Sequence, residues 1–403
     1  MKVLYIGVYR DGTGWSHSAI QNILALDAAG VDVVCRPLKL NKRDGEIPKR
    51  IKELEGKSTH DVTHVIQNVL PHHMDFNGDF EKNIGMYLTE TDHFRNTSWA
   101  QSLTLMDESW VSCNQMIEAS KNSYVACPLA VVPVPCDTAK YQKTYSKIEL
   151  PGGDSVFRFY FIGEFTKRKN VAALVKAFHL EFRPTDKVQL VIKANVPGKT
   201  SQQAERIIRN ECTVIKNGLK IYRNPEMYHD EIILTQRFSD EQIMKLHSTC
   251  DCFTIASHGE AWCIPAFDAM AMGKTPICTD VGGPSDFLYK SQGRLVAGEL
   301  DYAKGGWLVD CQPEPCYDVR DTLEDLYVSN ENWQAINIQS LRESMREAFE
   351  NKEEREKRAE NGIARAYDYS HLAVGQQMKE LLEGKTQPIL HDWAKEIRKN
   401  HTV

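Results

Sequence analysis

The chain has no apolar run long enough to cross a membrane. Its first residues, Met1 to Gly7, form a short strand-like run without the apolar core of a signal peptide, so a cytoplasmic location is expected. No Cys-x-x-Cys pair occurs. The eleven cysteines are an odd number and scattered, with one residue between Cys250 and Cys252 and four between Cys311 and Cys316. That spacing excludes a zinc ribbon or a dithiol redox motif and predicts reduced thiols. The Gly-x-Gly-x-x-Gly dinucleotide fingerprint is missing as well. Neither sign of charge dominates: 49 basic residues face 55 acidic ones, a net charge of −6, so no global field favours nucleic acid. His72-His73 does not suggest a metal pair, because adjacent side chains point in different directions. There is no internal repeat and no low-complexity tract.

What is present is the composition of an ordinary globular protein, 42% hydrophobic and 26% charged. With 403 residues the chain is too long for one small core, and two domains are expected. Strand-like and helix-like segments alternate. Val3–Val8, Asp32–Arg36, His64–Gln67, Gly85–Leu88 and Ser109–Ser112 read as strands, and Ser18–Ala29 and Trp99–Met106 as helices. Pro128, Pro133, Pro135 and Pro151-Gly152-Gly153 then mark a linker near residues 138–153. A second series follows: strands at Phe157–Ile162, Val188–Lys193 and Cys252–Ala256, helices at Val171–Phe178 and Asp240–Ser248, and a helical, charged segment at 340–383. The alternation predicts α/β architecture, two parallel sheets each covered by helices.

The most informative stretch is 257–283. Glu260 and Asp268 lie eight positions apart, on either side of a helix start. Pro265 suits the first helical turn and Gly273 the position just past the helix end. The backbone N–H groups of Trp262, Cys263 and Ile264 then point out of a helix N-terminus, a place that attracts an anion such as a diphosphate. Cys263 itself reads as a small apolar filler. A glycine pair, Gly282-Gly283, adds a second bare turn. A second strong signal is Phe161 to Asn170, where a strand ends in Gly163 and a short turn carries Lys167, Arg168 and Lys169. Cations at the C-terminal edge of a strand face the crevice where open α/β sheets bind ligands.

These residues resemble the Glu-x7-Glu signature of retaining glycosyltransferases of the two-Rossmann-domain (GT-B) fold, family 4 in particular, and the resemblance covers nearly the whole chain. It implies two Rossmann-like domains facing each other across a cleft. The N-terminal, acceptor-binding domain would be residues 1–145 and the donor-binding domain 146–384, with a C-terminal helix at about 385–403 crossing back. By resemblance, Glu260 lies beside the transferred sugar and Asp268, one methylene shorter than the usual Glu, beside the ribose. Lys169 matches the family's diphosphate lysine. The family's Arg position holds Glu164, and Arg168 is the candidate replacement for that guanidinium. Phe238 is a candidate for enclosing the base, and Gly163, Lys193 and Asn195 for lining the donor. In the first domain Gly12 and Gly14 would let the backbone approach phosphate or sugar. Thr89 to His93, followed by Asp107-Glu108-Ser109-Trp110-Val111, resembles a subset of the family, which places Glu90 and His93 near the acceptor.

No Asp-x-Asp occurs. That motif holds the divalent cation in the other large glycosyltransferase fold, so a reaction needing neither metal nor cofactor is expected. The reading is a retaining hexosyltransferase using a UDP- or GDP-sugar, with a glycan, lipid-linked or small-molecule acceptor. Two rivals stay open, a non-catalytic nucleotide-sugar-binding protein and an NAD-dependent oxidoreductase. The stretch Arg36–Lys57, with eight basic and four acidic residues, offers a peripheral contact to an anionic membrane at ~1 kcal/mol per basic residue.

Overall fold

The computed structural model describes residues 1–39, 45–289, 304–319 and 325–401. Two six-stranded sheets, parallel throughout, form the frame. The first contains β1 (Lys2–Gly7), β2 (Asp32–Pro37), β3 (His64–Asn68), β4 (Lys82–Met86), β5 (Glu108–Val111) and β6 (Leu129–Val131), in the order β2-β1-β3-β4-β5-β6. The second contains β7 (Phe157–Glu164), β8 (Val188–Asn195), β9 (Ile232–Leu234), β10 (Cys252–Ile255), β11 (Ile277–Thr279) and β12 (Trp307–Val309), in the order β12-β11-β10-β7-β8-β9. Central strands such as β3, β5 and β10 are buried along their whole length, as a sheet covered on both faces requires. Each sheet reverses its winding once, between β1 and β3 in the first and between β7 and β10 in the second. Such switch points open crevices at the carboxyl ends of the strands.

An antiparallel pair, β13 (Cys311–Pro315) and β14 (Asn332–Ile336), stands apart from both sheets. Sequence periodicity does not reveal it. The strand expected at Gly85–Leu88 begins earlier, at Lys82, where the parallel register with β3 holds it.

The return to the first domain starts upstream of residue 385. The helix His371–Leu382 packs on the helix Gly14–Ala28, and Val374, Met378, Leu381 and Leu382 join the first core. Gly375 makes this approach possible, since a Cβ there would come under 3.0 Å from the Ala25 carbonyl oxygen. Ile389 then pairs with Leu129 at the sheet edge, and a last helix covers Asp392–His401.

All eleven cysteines are free. No helix among the described residues is long and apolar enough to cross a membrane. Of the basic stretch 36–57, residues 40–44 lie outside the described residues. Several of its charges are engaged internally. The Arg36 guanidinium donates to the Cys35, Glu55 and Lys57 carbonyls, and Arg50 pairs with Asp27 at 2.8 Å.

Candidate functional site

The turn after β7 and the turn after β10 flank the switch point of the second sheet, so the two strongest sequence signals meet there. Glu260 is their junction. Its Oε1 accepts from Lys169 Nζ at 2.6 Å and from Ser257 Oγ at 2.5 Å. Arg168 Nη1 lies 3.7 Å from Glu260 Oε2 and donates to the Gly259 carbonyl at 2.6 Å. Burial alone would raise the Glu260 carboxyl, but Lys169 and Arg168 outweigh it and hold the group below its usual range. Glu260 is therefore an anion. Gly282 packs against the same turn, and a Cβ there would come well under 3.0 Å from the Glu260 carbonyl oxygen.

The helix predicted after Pro265 runs from Ile264 to Ala271. Cys263 takes a left-handed conformation (φ 65°) and turns the chain into it. The N–H groups of Trp262, Cys263 and Ile264 have no acceptor among the described residues. They are unpaired donors at the positive end of the helix dipole. The Trp262 ring is elsewhere, packed on Phe267, Phe287 and Tyr369 in the core. Burial pushes the Cys263 thiol up to about 12, so it is a filler and not a thiolate nucleophile.

Asp268 sits on the next turn of this helix. Its Oδ1 accepts from Lys140 Nζ at 2.8 Å and from Tyr141 Oη at 2.5 Å, both from the linker helix Thr138–Tyr141. Burial opposes its ionisation, and Lys140 first, then His247, overcome that and keep the carboxyl low. Lys193, at the end of β8, is buried with its Nζ 5.1 Å from the Phe238 ring centroid. Burial lowers its pKa, and no carboxylate among the described residues balances it. Asn195 Nδ2 donates to Glu164 Oε1 at 3.3 Å, so the residue in the family's arginine place is tied to the neighbouring strand end. Gly163 backs onto the Phe161 ring. Across the cleft, Gly12 (φ 69°) lies beside the exposed Arg237 guanidinium, and Gly14 opens the first helix.

The first domain meets the motif directly. Ser112 Oγ donates to the Ala261 carbonyl (2.9 Å), Gln115 Oε1 accepts from Gly282 N (2.6 Å), and Asp286 caps the helix starting at Asn114 (2.7 Å). Glu90 faces Arg168 from the other side, at 3.5 Å, and accepts from Tyr327 Oη at 2.5 Å. His93 does not face the cleft. Its Nε2 bonds to the Asn330 carbonyl (2.8 Å) and its Nδ1 accepts weakly from Arg95 N (3.4 Å).

His93 belongs to a clasp between loop 90–97 and residues 330–332 at the start of β14. Asp92 accepts from Asn332 N (2.7 Å) and Asn332 Nδ2 (2.8 Å), and Asn96 and Asn330 exchange amide bonds (2.7 and 2.9 Å). Glu331, fully buried there, is pushed up to about 7 by burial, with Asp92 adding to the shift. The folded protein holds a proton that the unfolded chain releases near 4.5. Stability therefore falls as pH rises from about 4.5 to 7, by roughly 3 kcal/mol for this group. Glu331→Gln will remove that component. Urea unfolding of both proteins across this pH range measures it, and identical pH slopes would refute it.

The residues that sequence reasoning missed are Ser257, Lys140, Tyr141, Arg237 and Tyr327. Ser257 lies inside the motif and could have been read from its spacing to Glu260. The others come from distant segments and left no local signal.

The fold has known counterparts. Residues 146–303 match the family model of glycosyl transferases group 1. No curated protein sequence matches. Among solved structures the chain is similar to the sucrose-phosphate synthase of Thermosynechococcus elongatus, with TM-score 0.63 and 15% identity over 96% of this chain and 99% of that one. It is similar to Alr3699/HepE of Anabaena, solved with UDP and glucose, with TM-score 0.59 and 13% identity over 95% and 100%. The catalytic domain of starch synthase IV from Arabidopsis thaliana, bound to ADP and acarbose, gives 0.61 and 11% over 95% and 99%. The fold is GT-B.

Proposed function

We propose that this GT-B protein, with its match to the group 1 glycosyltransferase model, is a retaining hexosyltransferase that uses a nucleotide-diphosphate sugar and no metal. One observation carries the reading: the ionised Glu260, paired with Lys169, stands beside three unbonded amides at a helix N-terminus, at the switch point of the second sheet. That arrangement suits a ligand with hydroxyls at one end and a diphosphate at the other.

Lys169, Arg168 and the amides of Trp262, Cys263 and Ile264 neutralise the departing diphosphate. The unbalanced Lys193 adds to the same field, and Phe238 encloses the base. Asp268, already held by Lys140 and Tyr141, presents its carboxylate towards the ribose. As the glycosidic C–O bond breaks, Glu260 stabilises the oxocarbenium-like sugar. The acceptor oxygen then bonds on the face just vacated and passes its proton to the leaving phosphate oxygen. Most of the rate comes from preorganised positive potential on that phosphate. Positive side chains and amides fill the role that a divalent cation has in other sugar transferases. UDP is the favoured base carrier, and the acceptor is a hydroxyl of a glycan, lipid-linked or small molecule.

Melting-temperature screening against UDP, GDP, ADP and their glucose conjugates tests the reading. A true ligand at about 100 times its Kd adds roughly 2.7 kcal/mol. Turnover should survive EDTA, and NMR should find the donor's anomeric configuration in the product. Glu260→Ala should lose donor binding and turnover. A chain stabilised by none of these nucleotides, or a Glu260→Ala variant with wild-type kinetics, would sink the proposal.

A further inference from the structure

Arg168 has more anionic neighbours than one guanidinium serves well. It donates to the Gly259 carbonyl at 2.6 Å, and lies 3.5 Å from Glu90 of the first domain and 3.7 Å from Glu260 of the second. Counting Lys169, two cations face two carboxylates and the cluster is neutral. A diphosphate entering here brings negative charge into a buried site, so one carboxylate must yield its cation. Glu260 is held by Ser257 and Lys169 at 2.5 and 2.6 Å and is fixed. Glu90 reaches Arg168 only at 3.5 Å, and its second anchor is Tyr327. Burial first, and then the charge of Glu90, raise the Tyr327 phenol, so it stays protonated and donates.

Tyr327 is itself well supported. It belongs to the stretch 325–334, which contacts both domains. Asn332 and Asn330 bind loop 90–97, as described above. On the other side Gln334 N donates to the His258 carbonyl (2.8 Å), and the His258 ring stacks on Trp333 at 4.4 Å and 11°. The phenol therefore comes from a scaffold fixed to the acceptor-side loop and to the donor motif at once.

Resting on the glycosyltransferase reading, we propose that Glu90 is a placeholder anion on Arg168 that the donor diphosphate displaces, and that Tyr327 is the positioning residue that keeps the displaced Glu90 in the cleft. Donor binding then frees a carboxylate on the acceptor side, where it orients the incoming hydroxyl. Binding is ordered, donor before acceptor.

Calorimetric titration of UDP into wild type, Glu90→Gln and Tyr327→Phe, with UDP-glucose turnover measured alongside, tests this. Glu90→Gln removes the competing charge and should tighten UDP about fivefold while lowering turnover. Tyr327→Phe leaves the charge but loosens it, so UDP should bind about twofold tighter with turnover down about tenfold. Tighter nucleotide with slower turnover is the signature, because a merely structural role weakens both. UDP binding that is unchanged or weaker in both variants overturns the placeholder while leaving the function intact. Failure of wild type to bind UDP, GDP or ADP overturns the functional reading and this inference with it.

Discussion

Replacing Lys169 by alanine will lower turnover by roughly 10²–10³, as removal of one preorganised donor to a developing anion does elsewhere. It will also destabilise the fold. Lys169 Nζ and Ser257 Oγ are the two close partners of Glu260 Oε1, and the nearest other cation, Arg168, is 3.7 Å from the second oxygen. Without Lys169 a carboxylate with 5% exposure keeps its charge and loses its closest counterion. Breaking a buried pair in this way costs about 3–5 kcal/mol. The two effects separate with Lys169→Arg, which keeps the charge and most of the stability but changes the shape of the donor. Urea unfolding should place the arginine variant near wild type and the alanine variant far below it. Single-turnover measurement with UDP-glucose should find both slow. If the alanine variant transfers sugar at the wild-type rate, Lys169 does not act on the leaving group.

The sequence makes this part of the site visible because the residues lie close along the chain. Glu260, Pro265, Asp268 and Gly273 mark one strand–turn–helix unit, and the cations after Gly163 mark another. The parallel topology alone brings the two turns together at the switch point. Most of the sheet strands are equally legible as short apolar runs, but β6, β9 and β12, three residues each, are too short to stand out in the sequence. Other parts follow no local rule. The helix Ser201–Leu219 buries only Ala204, Ile208, Cys212 and Lys216 in a polar sequence, so its apolar stripe is thin. Its capping box, Thr200 with Gln203, was the readable mark. β13 contains Pro313 and Pro315, which argue against a strand, and they are tolerated because its second edge is unpaired. Tyr327 meets Glu90 across 237 positions and Lys140 meets Asp268 across 128. Such pairs depend on how two domains face each other, and spacing along a chain does not encode that. His93 shows the converse. It looked poised for chemistry in the sequence, and the clasp takes up both its ring nitrogens.

How the domains face each other makes Gly259→Ala the second large effect. A Cβ at Gly259 would come well under 3.0 Å from the Glu90 carbonyl oxygen and within about 3.0 Å of the Glu90 Cβ. The obstacle is mostly backbone, so no rotamer change relieves it. Ordinary contact at 3.4 to 4 Å requires one loop to retreat by about 1 Å, and a shift of that size at a reacting centre costs about 10²-fold in rate. Arg168 would lose Glu90 in the same movement. The loss should be specific. The second domain has its own core, the first domain is built on two others, and Gly259 belongs to none of them. The melting temperature should fall only modestly, because the cores stay intact and the strain lies where the domains meet. UDP should bind the second domain more tightly than in wild type, by up to about fivefold, because Glu90 no longer competes for Arg168. Turnover of UDP-glucose should fall about 10²-fold. Hydrogen exchange should quicken at residues 90–97, where the clasp depends on the same approach. Wild-type turnover in Gly259→Ala would mean that the reacting state does not need this contact between the domains, and that Glu90 acts from a more distant position or not at all.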